Sequence, residues 1–352
     1  MKHPFLYTFA ALGLTTALYS PGPARAQAVP EYRISMTIAL GAPDRWDYVS
    51  FDAGSHRVYV AHGDRVTVVD GRDGKLIGEI TGFPGGTHGI AVVASSGRGY
   101  TDDGEAGEVG SFSLDTLKVG KRIKAMKDSD GIVFDSASGH VFVINGDSGT
   151  VTVIDPKTDS VVATVTGAGP LEFGVSGENG KLYIDGVEKK EIVRIDTHSN
   201  LIDARWPLPG CTSPRGMAID LSTRRLFASC GNGVLEVLSA DTGAVLATLP
   251  IGAGTDSAAF DPKRRRAYSS NGQDGTLSVI QEKDSNTFIA LGAVPTAPLA
   301  RTMSIDPDTG RLYLVTADID TSVPADSSHG PGPHRRHIMP GSVKLLFLDP
   351  VN

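Results

Sequence analysis

The sequence contains few stretches that favour a long helix, and its 42 glycines and 21 prolines are spread along all 352 residues. That distribution suits many tight turns better than one disordered tract. The net charge is −7 and there is no broad basic face, which disfavours nucleic acid as the main partner. Composition alone therefore favours a globular protein built from short strands and turns.

The chain also lacks an apolar run of the roughly 20 residues that span a bilayer. Its longest apolar run, residues 5–18, has about 14 residues and lies between Lys2 and the cleavage-like triplet Ala24-Arg25-Ala26. We therefore predict that residues 1–26 are a secretory signal peptide. The mature protein is expected to be periplasmic or secreted, monomeric and without a transmembrane span.

Cysteine is scarce as well, since the chain has only Cys211 and Cys230. In an oxidising compartment such a pair is more often a disulfide than a metal site, so we predict a bridge, with free thiols as the alternative. The usual motifs for a nucleophile, a P-loop, a dinucleotide or a haem are also absent. Motifs therefore assign no reaction to the chain.

What the sequence does contain is a repeat. Residues 139–164, GHVFVINGDSGTVTVIDPKTDSVVAT, alternate apolar and polar residues in three short runs separated by turn residues. Two hairpins that share a strand, recurring about every 42 residues, are typical of a propeller blade.

An aromatic residue marks the second strand of each repeat at intervals of 41 to 45 residues: Tyr59, Tyr100, Phe142, Tyr183, Phe227, Tyr268 and Tyr313. We therefore predict an all-β, seven-bladed β-propeller over residues 27–352, with four antiparallel strands in each blade. The last repeat has only three strands and residues 317–341 are inserted into it, whereas residues 32–40 form a strand without a partner. That strand is expected to complete the last blade and close the ring.

Several second strands resemble a known family. Tyr59-Val-Ala-His62, Phe142-Val-Ile-Asn145 and Tyr268-Ser-Ser-Asn271 are similar to the Tyr-Val-Thr-Asn motif of YVTN-type bacterial propellers. The resemblance covers nearly all of the mature chain and implies the propeller fold. It implies no single function, because the fold supports many activities.

Ionisable residues recur where the chain enters each first strand. Five residues before the Asp that ends most first strands, and at the matching positions of the other two repeats, the sequence has Asp47, His88, Asp130, Glu172, Arg215, Asp256 and Arg301. These seven positions are expected to meet at one end of the axial channel as a ligand-binding ring. The alternative is that they hold adjacent blades together by ion pairs, and in the fourth repeat the position shifts to Phe173 if the register moves by one.

A second set of positions, three residues after each aromatic, lies at the same end. It includes His62, Asn145 and Asn271, and such Asn residues more often stabilise a turn through backbone amides. His62 is a candidate ligand residue, with an exposed loop histidine as the alternative. Trp46 stands beside Asp47 and is expected either to stack on a ligand or to act as an apolar plug.

Two functions follow for this channel mouth. The first is the binding of a small molecule or a protein partner without chemistry. The second is a metal-dependent hydrolase or lyase similar in layout to gluconolactonase-type propellers, in which a divalent cation polarises a lactone carbonyl. On the second hypothesis the candidate metal ligands are Asp130, Glu172, Asp256, Asn145 and Asn271. The insertion is expected to cover the mouth.

Overall fold

We describe the protein from a computed structural model that covers residue 1, residues 29–323 and residues 336–351. The predicted signal peptide, except residue 1, and the middle of the insertion lie outside the described residues. The described part contains 28 strands and one short 3-10 helix, Ala94–Ser96. No helix in the described ranges is long and apolar enough to cross a membrane.

The strands form seven four-stranded antiparallel sheets, as predicted. Blade 1 contains β2 (Val49–Asp52), β3 (Arg57–His62), β4 (Arg65–Asp70) and β5 (Leu76–Thr81). Blade 2 contains β6 (Ile90–Val93), β7 (Arg98–Asp103), β8 (Glu108–Ser113) and β9 (Val119–Lys124). Blade 3 contains β10 (Ser129–Asp135), β11 (His140–Asn145), β12 (Thr150–Asp155) and β13 (Ser160–Val165).

The remaining blades repeat this order. Blade 4 contains β14 (Leu171–Ser176), β15 (Lys181–Gly186), β16 (Glu191–Asp196) and β17 (Leu201–Pro207). Blade 5 contains β18 (Pro214–Asp220), β19 (Arg225–Cys230), β20 (Val234–Ser239) and β21 (Val245–Pro250). Blade 6 contains β22 (Thr255–Asp261), β23 (Arg266–Asn271), β24 (Thr276–Asp284) and β25 (Thr287–Pro295).

Blade 7 joins the two ends of the chain. It contains β26 (Met303–Ile305), β27 (Leu312–Thr316), β28 (Lys344–Pro350) and, outermost, β1 (Tyr32–Ala39). β1 and β28 pair antiparallel from Tyr32 opposite Pro350 to Ala39 opposite Lys344. The predicted closure of the ring by the N-terminal strand is therefore confirmed.

The second strand of each blade supplies the side chains that join neighbouring blades. All seven marker aromatics are fully buried. The Tyr100 hydroxyl donates to Asp159 at 2.6 Å, and the Tyr313 hydroxyl donates to the Gly71 carbonyl at 2.9 Å, in each case across to the next blade. Tyr100 and Tyr313 thus pack their rings in the core and also satisfy their hydroxyls, whereas the buried Tyr59 hydroxyl has no partner among the described residues.

Apolar clusters lie between the blades rather than at the centre of the molecule. The described residues form seven clusters, and each contains residues from two adjacent blades, including the pair formed by blades 7 and 1. Because the sheets pack face to face around an axis, the innermost strands are left to line a channel. These strands position the candidate site.

The two cysteines form the disulfide that their number predicted. Cys211 lies in the loop that enters blade 5 and Cys230 ends β19, with their Cα atoms 5.5 Å apart. The bridge therefore ties the entry loop of blade 5 to its second strand, at the same end of the channel as the ring of ionisable residues.

Candidate ligand-binding site at the channel mouth

The mouth ring consists of the seven ionisable residues identified from the repeat. Each member lies at the start of a first strand or two residues before it: Asp47, His88, Asp130, Glu172, Arg215, Asp256 and Arg301. Their charges act on one another across the channel. Asp47, for example, is influenced by the charges of Arg301, His88 and Asp256, which belong to blades 7, 2 and 6. The repeat therefore places these positions around one opening.

Much of the mouth ring forms ion pairs between neighbouring blades. Arg215 of blade 5 lies 3.1 Å from Glu172 of blade 4. Arg301 of blade 7 lies 2.7 Å from Asp256 of blade 6 and 3.9 Å from Asp47 of blade 1. These five residues thus hold adjacent blades together by ion pairs, which is the alternative to a ligand-binding ring. It does not account for His88 and Asp130.

His88 belongs to a network that the repeat did not reveal. Its Nδ1 lies 2.6 Å from Asp102 Oδ2, and Asp102 Oδ1 accepts hydrogen bonds from the backbone N–H groups of His88 and Gly89, both at 2.8 Å. On the other side, Arg45 Nη2 lies 2.9 Å from His88 Nε2. Burial disfavours the charged imidazole and acts to lower its pKa. The hydrogen bond and negative charge of Asp102 have the larger combined effect, so the pKa of His88 is raised.

Asp130 is surrounded by other carboxylates. Burial raises its pKa well above the usual value, and the negative charges of Asp47 and Glu172 raise it further. Among the ion pairs between described residues, none includes Asp130. Burial likewise raises the pKa of Asp47 to about 6 and that of Glu172 to about 7, although an arginine lies beside each of them. The mouth therefore has more negative charge than it can neutralise.

Two aromatic side chains close the channel below the mouth ring. The residue after each ring member is small in five blades: Gly89, Gly131, Gly216, Ser257 and Thr302. In blades 1 and 4 it is Tyr48 and Phe173, and these rings meet edge to face across the axis with centroids 5.1 Å apart. Small neighbours are required, because a Cβ on Gly89 would lie 2.2 Å from the Asp130 carbonyl oxygen. Tyr48 and Phe173 thus form the floor of the mouth.

The channel below this floor has a different chemistry. It encloses about 520 Å³ and is lined by apolar side chains that include Phe51, Phe134, Met217 and Phe260. Burial, and after it the carboxylates of Asp130 and Glu172, raise the pKa of Tyr48 well above the usual value, so this phenol lies near the charged side of the floor. The mouth is therefore a polar cup with an aromatic base.

A smaller cavity adjoins the mouth beside blades 7 and 1. It has a volume of about 410 Å³ and is lined by Asp44, Arg45, Trp46, Asp47, Leu299, Arg301, Arg336 and Ile338. Trp46 is only 4% exposed and packs in the apolar cluster between the two blades, with the Arg301 guanidinium carbon 5.7 Å from its ring centroid. We call this cavity the side cavity; Trp46 forms part of its wall.

The described ends of the insertion reach the side cavity. Ile319 and Ile338 pair as an isolated bridge, and Arg336 and Ile338 line the cavity. Asp44 Oδ1 accepts a hydrogen bond from the Gly341 N–H at 2.6 Å. The base of the insertion therefore lies beside the mouth; the predicted cover over the mouth depends on residues 324–335, which lie outside the described residues.

The second set of candidate positions has a structural role instead. Asn145 Nδ2 donates to Thr150 and Thr152 hydroxyls, and its Oδ1 accepts from the Met126 N–H at 3.3 Å. Asn271 Nδ2 donates in the same way to the hydroxyls of Thr276 and Ser278. The turn-stabilising interpretation is thus the right one for both, and their amides are already engaged within their own blades.

His62 requires a correction, because it is fully buried rather than exposed in a loop. Its Nδ1 lies 3.0 Å from the Thr67 hydroxyl and its Nε2 lies 2.8 Å from the Pro43 carbonyl oxygen. Burial lowers the pKa of this imidazole. His62 therefore fixes the chain that enters blade 1 and has no free nitrogen to offer a ligand.

The metal-dependent hypothesis gains no support from the arrangement of side chains. Within residues 29–323 and 336–351, no three His, Cys, Asp or Glu side chains are grouped as they would be around a metal ion. Of its five candidate ligands, Asn145 and Asn271 are used in turns, while Glu172 and Asp256 are paired with arginines. Only Asp130 remains unengaged by a cation.

Sequence reasoning missed Asp102 and Tyr48 as residues of the site, and it named Phe173 only as an alternative ring position. Arg45 and Asp102 lie outside the ring positions, and Tyr48 and Phe173 follow them. One signal was available for Asp102, since a carboxylate is unusual at an inward-facing position of a central strand. For the floor, the signal was the contrast between two aromatic residues and five small ones at the same position of the repeat.

No family model matches the chain. It is 27% identical over 221 residues to the uncharacterized protein YncE of Salmonella typhimurium and equally to that of Salmonella typhi. In each case the match covers 60% of this chain and 61% of the relative, so the chain spans about three-fifths of the length of these curated relatives. The similarity to YncE is weak and carries no assigned activity.

Solved structures share the propeller architecture. A chain of the mitotic checkpoint complex superposes with a TM-score of 0.72 at 13% identity, covering 100% of this chain and 99% of that one. A chain of hydrazine synthase from Kuenenia stuttgartiensis gives a TM-score of 0.66 at 16% identity, covering 76% and 91%. At such low identity the likeness shows the fold alone.

Proposed function

We propose that this protein is an exported propeller of the YVTN type that binds a small ligand at the channel mouth through a positively charged group. Export is supported by the signal-like residues 1–26 and by the Cys211–Cys230 disulfide, since disulfides persist in oxidising compartments. The repeat type is supported by the second-strand motifs at Tyr59, Phe142 and Tyr268. The protein acts as a monomer without a transmembrane span.

Asp130 is the observation that carries the proposal. A half-buried carboxylate whose charged neighbours are themselves carboxylates is in an unfavourable environment, and burial together with these neighbours raises its pKa. A ligand ammonium group beside it removes that penalty and also attracts Asp47 and Glu172. The gain on binding is largest for a group that is positively charged and small enough to enter the mouth.

The aromatic floor suits the same kind of ligand. An ammonium group over the face of a tyrosine or phenylalanine is attracted by the ring, by about 0.5–2 kcal/mol depending on desolvation. Tyr48 and Phe173 directly follow Asp47 and Glu172 in the chain and meet edge to face, so they offer aromatic surface next to these carboxylates. Carboxylates around the rim and aromatic rings beneath thus act on one cation from two directions.

The proposal is tested by calorimetric titration with n-butylamine and with its uncharged analogue 1-butanol at about pH 8, where an alkylamine, like a lysine side chain, carries its positive charge. We expect the amine to bind at least about tenfold more tightly than the alcohol, since tenfold is 1.4 kcal/mol. Asp130→Asn keeps the shape of the side chain, removes its charge and should abolish this preference.

Asp147→Asn is the matched control. Asp147 lies in an exposed turn on the same end of blade 3, so its substitution changes the net charge equally without altering the mouth. The proposal fails if amine and alcohol bind alike, if neither binds, or if Asp147→Asn weakens amine binding as much as Asp130→Asn does.

A further inference from the structure

The side cavity presents the opposite charge to the mouth. Three arginines, Arg45, Arg301 and Arg336, line it together with two aspartates, Asp44 and Asp47. Asp44 is occupied in holding the insertion through the Gly341 N–H, and Asp47 lies 3.9 Å from Arg301. The hydrogen-bonding groups that remain free on this wall are therefore mainly arginine guanidinium groups. Their planar fork suits a carboxylate.

The side cavity and the mouth form one continuous polar surface. Asp47 and Arg301 belong to both, since each is a member of the mouth ring and each lines the cavity. Arg45 extends from the cavity to His88 in the mouth, with 2.9 Å between Nη2 and Nε2. A ligand long enough to extend from the Asp130 side to the arginine side contacts both without crossing a barrier of apolar residues.

The cavity wall is also held in place on the side where it meets the core. The Arg301 guanidinium donates to Asp256 at 2.7 Å and to the Trp46 carbonyl at 3.3 Å, and it lies near the face of the buried Trp46 ring. Its side chain is only 15% exposed. An anion that enters the cavity thus meets a positive group whose position is already fixed, which reduces the entropic loss on binding.

We infer that the ligand is dipolar: a small amino acid whose ammonium group lies at the mouth near Asp130 and whose carboxylate lies in the side cavity among Arg45, Arg301 and Arg336. The inference rests on the proposed function for the ammonium half and adds the carboxylate half. An excess of carboxylates in one compartment and an excess of arginines in the next one complement the two ends of such a molecule.

The inference is tested with a ladder of ω-amino acids, namely glycine, β-alanine, γ-aminobutyrate and ε-aminocaproate. Each is compared by calorimetric titration with the unbranched alkylamine that has the same number of carbon atoms and no carboxylate. At the length that spans both compartments, we expect the amino acid to bind at least about tenfold more tightly than its amine. Arg336→Gln should remove this advantage, so that the two bind alike.

Arg72→Gln is the matched control, because Arg72 lies in an exposed turn and its ion pair among the described residues is with Asp70. If the amines bind the wild-type protein but no amino acid exceeds its amine at any length, the carboxylate site is wrong while the proposed function stands. If neither amines nor amino acids bind, both are wrong. If Arg72→Gln removes the advantage as fully as Arg336→Gln, general electrostatic attraction explains the affinity and the inference is overturned.

Discussion

Two sets of acidic residues flank the first strands of this propeller, and they have opposite surroundings. At the end of the strands that faces away from the mouth lies a lower ring, Asp52, Asp135, Asp220, Asp261 and Asp306. Five residues earlier in three of these blades lie Asp47, Asp130 and Asp256 of the mouth ring. The two sets share residue type and blade but differ in hydrogen-bonding partners.

Asp135 and Asp130 show the difference within one strand, β10. Asp135 accepts hydrogen bonds from the Ser176 hydroxyl at 2.6 Å, the Thr197 hydroxyl at 2.8 Å and the Ser138 N–H at 2.8 Å. Burial opposes its charge, but these donors outweigh burial and lower its pKa. Asp130 has no such compensation and its pKa is raised. Donors therefore give Asp135 a structural role, and their absence leaves Asp130 available to a ligand.

The largest effect on stability is expected from Asp135→Ala. It leaves donors of blades 3 and 4 without their acceptor and should lower the free energy of unfolding by about 3 kcal/mol, as for other broken buried networks. Urea denaturation measures this. Asp147→Ala, in an exposed turn, is expected to change stability by less than about 0.5 kcal/mol. Similar losses in the two variants would contradict a structural role for the lower ring.

Arg301→Gln is expected to have the next largest effect. Without the guanidinium, Asp47 and Asp256 face each other with no cation between them, which should destabilise the protein by about 2 kcal/mol near neutral pH. Adding Asp256→Asn removes one of the two charges and should restore part of the loss. Thermal unfolding of the single and double variants checks this; a double variant less stable than the single one would show that repulsion is not the cause.

The mouth ring also predicts how stability depends on pH. Because Asp47 and Glu172 have pKa values raised to about 6 and about 7, the folded state binds more protons than the unfolded state above their ordinary values near 4. The stability that Asp47 and Glu172 contribute is therefore fully present at low pH and is lost as pH rises through about 7. Glu172→Gln should reduce the fall in stability between about pH 5 and about pH 8 by about 1 kcal/mol, measured by urea denaturation at both values.

The lower ring gives the internal comparison for that measurement. Asp135 and Asp220 have lowered pKa values, so the stability they provide is present near neutral pH and is lost only as pH falls below their ordinary values. Asp135→Asn should therefore leave the slope between about pH 5 and about pH 8 unchanged. A flattened slope in this variant, or an unchanged one in Glu172→Gln, contradicts the assignment of the two rings.

The smallest effect is expected from Tyr48→Phe. The Tyr48 hydroxyl makes no hydrogen bond to another described residue, so unfolding should change by less than about 0.5 kcal/mol. Affinity for n-butylamine should change less than about threefold, because the ring face attracts a cation without the hydroxyl. Tyr48→Leu keeps an apolar side chain but removes the ring and should weaken amine binding by a larger factor, measured by titration.

The fold could be predicted almost entirely from the sequence, because the same sequence pattern occurs in each of the seven blades. The marker aromatics, the turn residues and the incomplete last repeat together specified the number of blades and the closing strand. Positions of the mouth ring followed for the same reason, since equivalent residues of a propeller meet at the axis. Periodicity thus supplies both the fold and the location of a site.

The pairing of the site residues was not predictable, because it depends on contacts between blades. Nothing in the repeat indicates that Arg301 lies between Asp256 and Asp47, or that Asp102 holds His88. Asp185 occupies the same position in blade 4 that Asp102 occupies in blade 2, yet both its carboxylate oxygens are buried without a partner among the described residues. Burial raises its pKa well above the usual value. Equivalent sequence positions therefore acquire different chemistry from their neighbours.

The central claim is that Asp130 and Asp135, at the two ends of one strand, differ in charge state, and carboxyl titration by NMR tests it most directly. With ¹³C-labelled aspartate, the resonances of Asp130 and Asp135 are followed in the same sample from about pH 2 to about pH 8 and assigned with Asp130→Asn and Asp135→Asn. We predict that Asp130 titrates well above the ordinary value near 4 and Asp135 below it. Midpoints near 4 for both residues would contradict the account.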